Sequence, residues 1–200
     1  MPIFKTPFSR EYWKESLKSF RSLRGMVFAA LMIAACIVLS HFSIKVSETL
    51  TISFSFLARA LCALVYGPIG ALVFGAAEDI LNFFLNSKGY VFFPGYTLTT
   101  MLGCLTYALF FYRTRITVVK IFLAKLLTNL QNVILGALWS SILYSKGYLY
   151  YMAKSAIKNA VSLPVFTLML VLLFQALLPA MQTMNIIPNQ LGQGKRIKII

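Results

Sequence analysis

Two adjacent acids, Glu78 and Asp79, stand inside the apolar run P-I-G-A-L-V-F-G-A-A-E-D-I-L-N-F-F-L, and Arg59 stands inside the apolar run before it. An ionised carboxylate at mid-membrane costs roughly 3 kcal/mol on insertion scales, so each acid requires a compensating partner. Counting about 1.5 Å of rise per residue away from the turn at Gly67-Pro68 brings Arg59 and the two acids to comparable depth. The expected buried charge pair is Arg59 with Glu78. The surplus acid is then protonated, paired with Lys125, or held ready for the donor groups of a ligand. Bond-making chemistry has no constellation to support it. His41 is the only histidine, and no serine or cysteine nucleophile accompanies it. Cys36, Cys62 and Cys104 fall in apolar runs at no metal-ligand spacing. No catalytic residue, metal or cofactor is expected.

The elements that must position these charges are membrane helices. Of 200 residues, 59% are hydrophobic and 12% charged, with a mean hydropathy of +0.78, far more apolar than an ordinary soluble domain. A span takes about 20 apolar residues, and six are placed at Gly25–Phe42, Leu50–Tyr66, Ile69–Leu85, Tyr96–Tyr112, Val118–Leu143 and Val161–Met181. The expectation is an all-α integral membrane protein, a six-helix bundle over 25–181. It is preceded by a basic segment at 1–24 and followed by a tail at 182–200. Twelve lysines and arginines fall on the side of the two termini and five on the other, which predicts both termini to be cytoplasmic. The net charge of +14 is therefore a topology signal and does not point to nucleic acid. The 24 mostly polar residues before the first apolar run, with no small-residue cleavage site after it, predict a retained helix and no signal peptide.

Along the chain, residues 8–23 place Phe8, Tyr12, Trp13, Leu17, Phe20 and Leu23 near one helical face among basic residues, either an interfacial helix or a topogenic tail. In the first span Ala30 and Ala34 lie one turn apart, a small-residue face that lets another helix approach. Asn82 extends a polar stripe outward from Asp79. The fifth span carries Lys125, Asn129, Asn132, Gly136 and Trp139 in one stripe, which serves either interhelical hydrogen bonding or a ligand cavity. The fourth span opens at F-F-P-G-Y-T, where Pro94 and Gly95 break the incoming chain and Tyr96 and Thr97 sit at the mouth of the new helix. The loops Asn86–Gly95 and Tyr144–Lys158 combine aromatics with lysines and contain no acid, a composition suited to a flat, aromatic, anionic ligand.

The stretch G-A-L-V-F-G-A-A-E-D-I-L-N-F-F followed by F-F-P-G-Y-T-L-T-T-M-L-G-C-L-T-Y-A-L-F-F-Y resembles the substrate-binding (S) components of energy-coupling factor vitamin transporters, and is most similar to the folate-specific subfamily. The acid pair and Asn82 depart from the single Asp and following Gly of many such components. The resemblance implies a multi-pass subunit of a prokaryotic cell membrane. It has no ATPase of its own, captures a vitamin from outside, and associates with a transmembrane coupling protein and two ATPases. It assigns Ala30 and Ala34 to docking on the coupling protein. It also implies Asp79, Asn82 or Asn132 at the donor edge of a pterin ring, Phe93 and Tyr96 stacked on it at the Gly95–Thr97 mouth, and Lys154 and Lys158 at the glutamate tail. Riboflavin or another vitamin, and a structural subunit without ligand, are the alternative readings.

Overall fold

The computed structural model describes residues 9–20, 23–47, 50–86, 91–144, 147–191 and 197–199. Its elements run α1 (Arg10–Phe20), α2 (Leu23–His41), β1 (Ile44–Ser47), β2 (Leu50–Ile52), α3 (Phe56–Asn86), α4 (Pro94–Phe111), α5 (Val118–Leu143) and α6 (Tyr148–Thr183). Three of them, α3, α5 and α6, are long and apolar enough to cross a membrane by length and composition. The helices turn large apolar side chains outward, among them Leu126, Leu130, Val161, Val165 and Leu172, while Glu78, Lys125, Asn129 and Asn159 are buried. That inversion of the soluble pattern is what a lipid surroundings demands.

Two boundaries differ from the sequence expectation. Leu50–Ile52 pairs with Ile44–Ser47 as an antiparallel ribbon, and the helix begins only at Phe56. The run L-T-I-S alternates apolar and polar residues with period two and is rich in β-branched side chains, so it pairs as a strand. Residues 148–158, expected in a loop, form the first three turns of α6 instead. After Gly147 no glycine or proline interrupts the helix until Pro164, and the lysines and tyrosines there are tolerated on a helix. The segment expected between the third and fourth spans includes residues 87–90, and that expected between the fifth and sixth includes 145 and 146; all of these lie outside the described residues, as do Phe8, Arg21, Lys195 and Arg196.

α3 folds back on itself at Gly67, whose φ of 70° and ψ of −166° only glycine adopts readily. Pro68 follows and has no N–H to give. The polar groups exposed by the break are met by α1: the Ser16 hydroxyl donates to the Tyr66 carbonyl at 2.7 Å and accepts from the Ile69 N–H at 3.0 Å. Tyr12, on the same buried face of α1, donates its hydroxyl to the Ala108 carbonyl at 2.8 Å. Tyr12 and Ser16 are fully buried, while Trp13, Leu17 and Leu23 remain exposed, so α1 docks on the bundle through a hydroxyl-bearing face. The final segment also packs back: Gln190 donates to the Phe111 carbonyl, Ile187 and Leu191 are buried, and Lys198 bridges Thr117.

A Cβ at Gly67 would stand 2.7 Å from the Tyr112 ring in a backbone conformation closed to other residues. Gly67→Ala is expected to lower stability by at least about 2 kcal/mol, and Ser16→Ala by about 1–2 kcal/mol through the orphaned backbone groups. Thermal unfolding in detergent measures both, and Gly67→Ala should show the larger fall.

Candidate functional site

The two halves of α3 run antiparallel from the Gly67 kink, and this places Arg59 on one against Glu78 on the other. The guanidinium makes two parallel bonds to the carboxylate, Nε to Oε2 at 2.8 Å and Nη2 to Oε1 at 3.1 Å. Glu78 is fully buried, whereas the Arg59 side chain keeps a quarter of its surface open. A bidentate pair of this kind repays much of the desolvation of both ions. With Arg59 committed to Glu78, the neighbouring acid is released for another purpose.

Asp79 is held by the first turns of α4. Thr97 donates to Oδ2 at 2.7 Å and Thr100 to Oδ1 at 3.0 Å, three residues apart on one face of the helix. Each carboxylate oxygen thereby accepts one hydroxyl and retains capacity for a second donor. α4 can begin so abruptly because Pro94 occupies its first position, where a missing N–H is harmless, after an extended Phe93. Gly95 admits Phe93 and Trp139, whose ring carbons would stand 2.4 and 2.6 Å from an added Cβ. Trp139 packs on Phe93 at 5.6 Å between centroids and donates its indole N–H to Thr99 at 2.9 Å. Tyr96 and Ser140 share a hydroxyl contact at 3.2 Å. Thr106 and Gln131 tie the same two helices closer to their other ends.

Between the α3–α4 wall and the α5–α6 wall lies a cavity of about 490 Å³, within the ~300–1,000 Å³ typical of small-molecule sites. Asp79, Arg59, Thr99 and Thr100 line one side, with Tyr96. α5 contributes Lys125, Asn129, Asn132, Gly136 and Ser140, four of them from the predicted polar stripe. α6 contributes Tyr151, Lys154, Ser155, Lys158 and Asn159. Asn129 donates to the Asn159 carbonyl at 3.1 Å and fixes the two basic helices against each other. The lining carries four cations against Asp79, with Glu78 directly behind Arg59, which leaves a surplus of positive charge.

Of the residues singled out in the sequence, Asp79, Tyr96, Asn132, Lys154 and Lys158 face this cavity. Thr97, Phe93 and Gly95 stand behind it: Thr97 grips Asp79, Phe93 and Gly95 pack against Trp139. Asn82 points elsewhere. Its side-chain oxygen accepts from Ser40 of α2 at 2.9 Å and from Asn86 at 3.0 Å, and it is absent from the cavity lining, so the stripe drawn through Asp79 and Asn82 divides between two neighbours. A step of three residues along a helix turns about 60° away from the starting face, enough to move Asn82 from α4 to α2. Thr100, Ser140, Tyr151, Ser155 and Asn159 line the cavity without having been singled out, and Thr99, which shares a four-residue spacing with Gly95 and Gly103 suited to close packing, lines it too. Thr97 and Thr100 carried a usable signal, because hydroxyls three apart at a helix start can grip a carboxylate on the preceding helix. Ala30 and Ala34 lie on the exposed face of α2, while Ala29 is buried in the core. The three cysteines are buried and free, and among the described residues no cluster could hold a metal ion.

Glu78→Gln leaves Arg59 without its counter-ion, and a loss of about 3 kcal/mol is expected, the low end for a broken buried pair because Arg59 reaches the cavity. Pairing it with Arg59→Met should restore much of that stability, and chemical or thermal unfolding of the two variants measures the difference.

Residues 24–191 match the family described as "ECF transporter, substrate-specific component". A folate transporter, FolT, of Clostridium novyi is 30% identical over 151 residues, covering 75% of this chain and 87% of that protein. FolT of Leuconostoc mesenteroides is 27% identical over 153 residues, 71% of this chain and 80% of that one. A solved structure described as "Crystal structure of FolT bound with folic acid" superimposes with a TM-score of 0.69 at 27% identity, over 74% of this chain and 91% of that chain.

Proposed function

The chain belongs to the substrate-specific components of ECF transporters, a membrane transport family and not an enzyme family, and from that membership we propose that it captures folate in the cavity between α3–α4 and α5–α6. The observation that carries this reading is the division of charge across one cavity, an acceptor-only carboxylate on one wall and lysines on the other. Folate has the matching polarity. Its pterin presents an amidine-like donor edge, and its glutamate tail carries two carboxylates. Asp79, positioned by Thr97 and Thr100, meets the donor edge with the capacity its oxygens retain. Lys154 and Lys158 on α6 meet the tail, Asn132 supplies a further polar contact, and Tyr96 offers a ring face at the mouth, backed by Phe93. The relatives with folate in their names, and the folic acid in the similar solved structure, support the same ligand.

Six membrane passes follow if α2, the two halves of α3, α4, α5 and α6 each cross once, with both termini cytoplasmic and the ribbon, the start of α4 and the start of α6 outside. The excess of lysine and arginine on the terminal side supports that orientation. The cavity then opens to the exterior of a prokaryotic plasma membrane. Delivery into the cell requires a transmembrane coupling protein and two ATPases, and the exposed Ala30–Ala34 face of α2 provides a surface on which a helix of the coupling protein can pack closely.

Calorimetric titration of the detergent-purified chain with folate should show a single saturable site, with riboflavin as the contrasting ligand. Asp79→Ala should weaken folate by at least ~30-fold, about 2 kcal/mol, with unfolding temperature retained. Lys154→Ala and Lys158→Ala should weaken folate more than pteroate, which lacks the glutamate. Riboflavin binding in place of folate would replace the assigned vitamin, and no binding of either to a folded sample would favour a structural subunit.

A further inference from the structure

Lys125 is the one basic lining residue that neither the ion pair nor the proposed tail contacts absorb. It is buried about two turns into α5, and among the described residues it makes no ion pair. Its ammonium lies 4.2 Å from the ring centroid of Phe56 and 4.9 Å from that of Phe166, and donates to the Tyr107 hydroxyl at 3.4 Å. Two ring faces and one long hydrogen bond recover only part of what a buried ammonium loses on leaving water. Helix bundles do not ordinarily keep such a group unless something else completes its shell.

Its depth shows what that is. Phe56 precedes Arg59 by three residues on α3, and Asp79 directly follows Glu78, so Lys125 and Asp79 reach the cavity near the level of the Arg59–Glu78 pair from opposite walls. An acceptor-only group and a donor-only group thus face each other across the deep part of one cavity. A pterin carries complementary functions on adjoining edges of its fused ring system: the amino group and ring N–H on one, the 4-oxo group and the neighbouring nitrogen of the second ring on the next. We propose, resting on the folate reading above, that Lys125 is a specificity-determining residue that donates to the 4-oxo edge of the pterin while Asp79 holds its donor edge. The ring then lies deep and the tail runs outward to Lys158 and Lys154.

The discriminating ligand pair is folate and its 4-amino analogue, in which the oxygen acceptor becomes an amino donor and the adjoining ring N–H becomes an acceptor nitrogen; the second change faces Asp79 in wild type and variant alike and cancels when their ratios are compared. Titrations on the wild type and on Lys125→Met give a ratio of affinities for each protein. Lys125→Met is expected to shift the folate-to-analogue ratio against folate by at least tenfold while raising the unfolding temperature of the ligand-free chain, since an uncompensated ammonium has been removed. Lys125→Gln, which keeps a neutral donor, should shift the ratio by less. Equal loss for both ligands would place Lys125 at the tail or in general support of the site and overturn the assignment, as would an unchanged ratio. A fall in unfolding temperature, or failure of both variants to fold, would make Lys125 a structural residue and overturn it too. Absence of folate binding by the wild type would remove the folate reading along with this one, whereas an unchanged ratio removes this one alone.

Discussion

The bidentate contact between Arg59 and Glu78 is the interaction on which the rest of this structure depends. It joins the two halves of α3, fixes how far apart they lie beyond the Gly67 kink, and neutralises the basic residue that shares α3 with Asp79. In a bundle whose outer surface is apolar, an uncompensated charge is costly, so pairing one acid determines what the other is available to do. Because Glu78 is consumed, Asp79 can be presented by two threonine hydroxyls to a cavity in place of being tied to a cation.

The kink carries the second constraint. A helix that reverses at Gly67-Pro68 leaves backbone groups without helical partners, and Ser16 supplies both a donor and an acceptor at that point. The basic amino-terminal helix is thereby part of the fold, linked through Tyr12 to the end of α4 as well. The same break keeps the connection between the halves short, which brings Arg59 and Glu78 to one level. Local backbone chemistry at one end of the bundle thus sets the electrostatics some turns away.

Much of this was legible in the residues. The depth match of Arg59 with the acids followed from helix rise and the position of one Gly-Pro step, and the α5 stripe followed from spacing. The start of α4 was readable from Phe93-Pro94-Gly95. Less legible were features decided by packing. The ribbon at Leu50–Ile52 was hidden because an apolar strand next to a membrane helix merges with it in hydropathy. The first turns of α6 were hidden because aromatics and lysines read as a loop although they suit a helix. Asn82 shared a stripe with Asp79 on paper, yet a 60° turn gave it to Ser40 of α2. The polar lining from α6, Ser155 and Asn159, carries no pattern distinguishable from ordinary interhelical bonding until α5 is placed opposite it.

The central claim, that the cavity bounded by Asp79 and the α5–α6 lysines is where folate sits, has a reporter already in place. Trp139 donates to Thr99, a lining residue, and the only other tryptophan, Trp13, lies on α1 beside the kink. With Trp13→Phe, the fluorescence of Trp139 should change saturably on folate addition, and Asp79→Ala should move the midpoint to higher concentration. Folate that binds by calorimetry while Trp139 stays silent and Asp79→Ala titrates like its parent would place the ligand elsewhere and contradict the account.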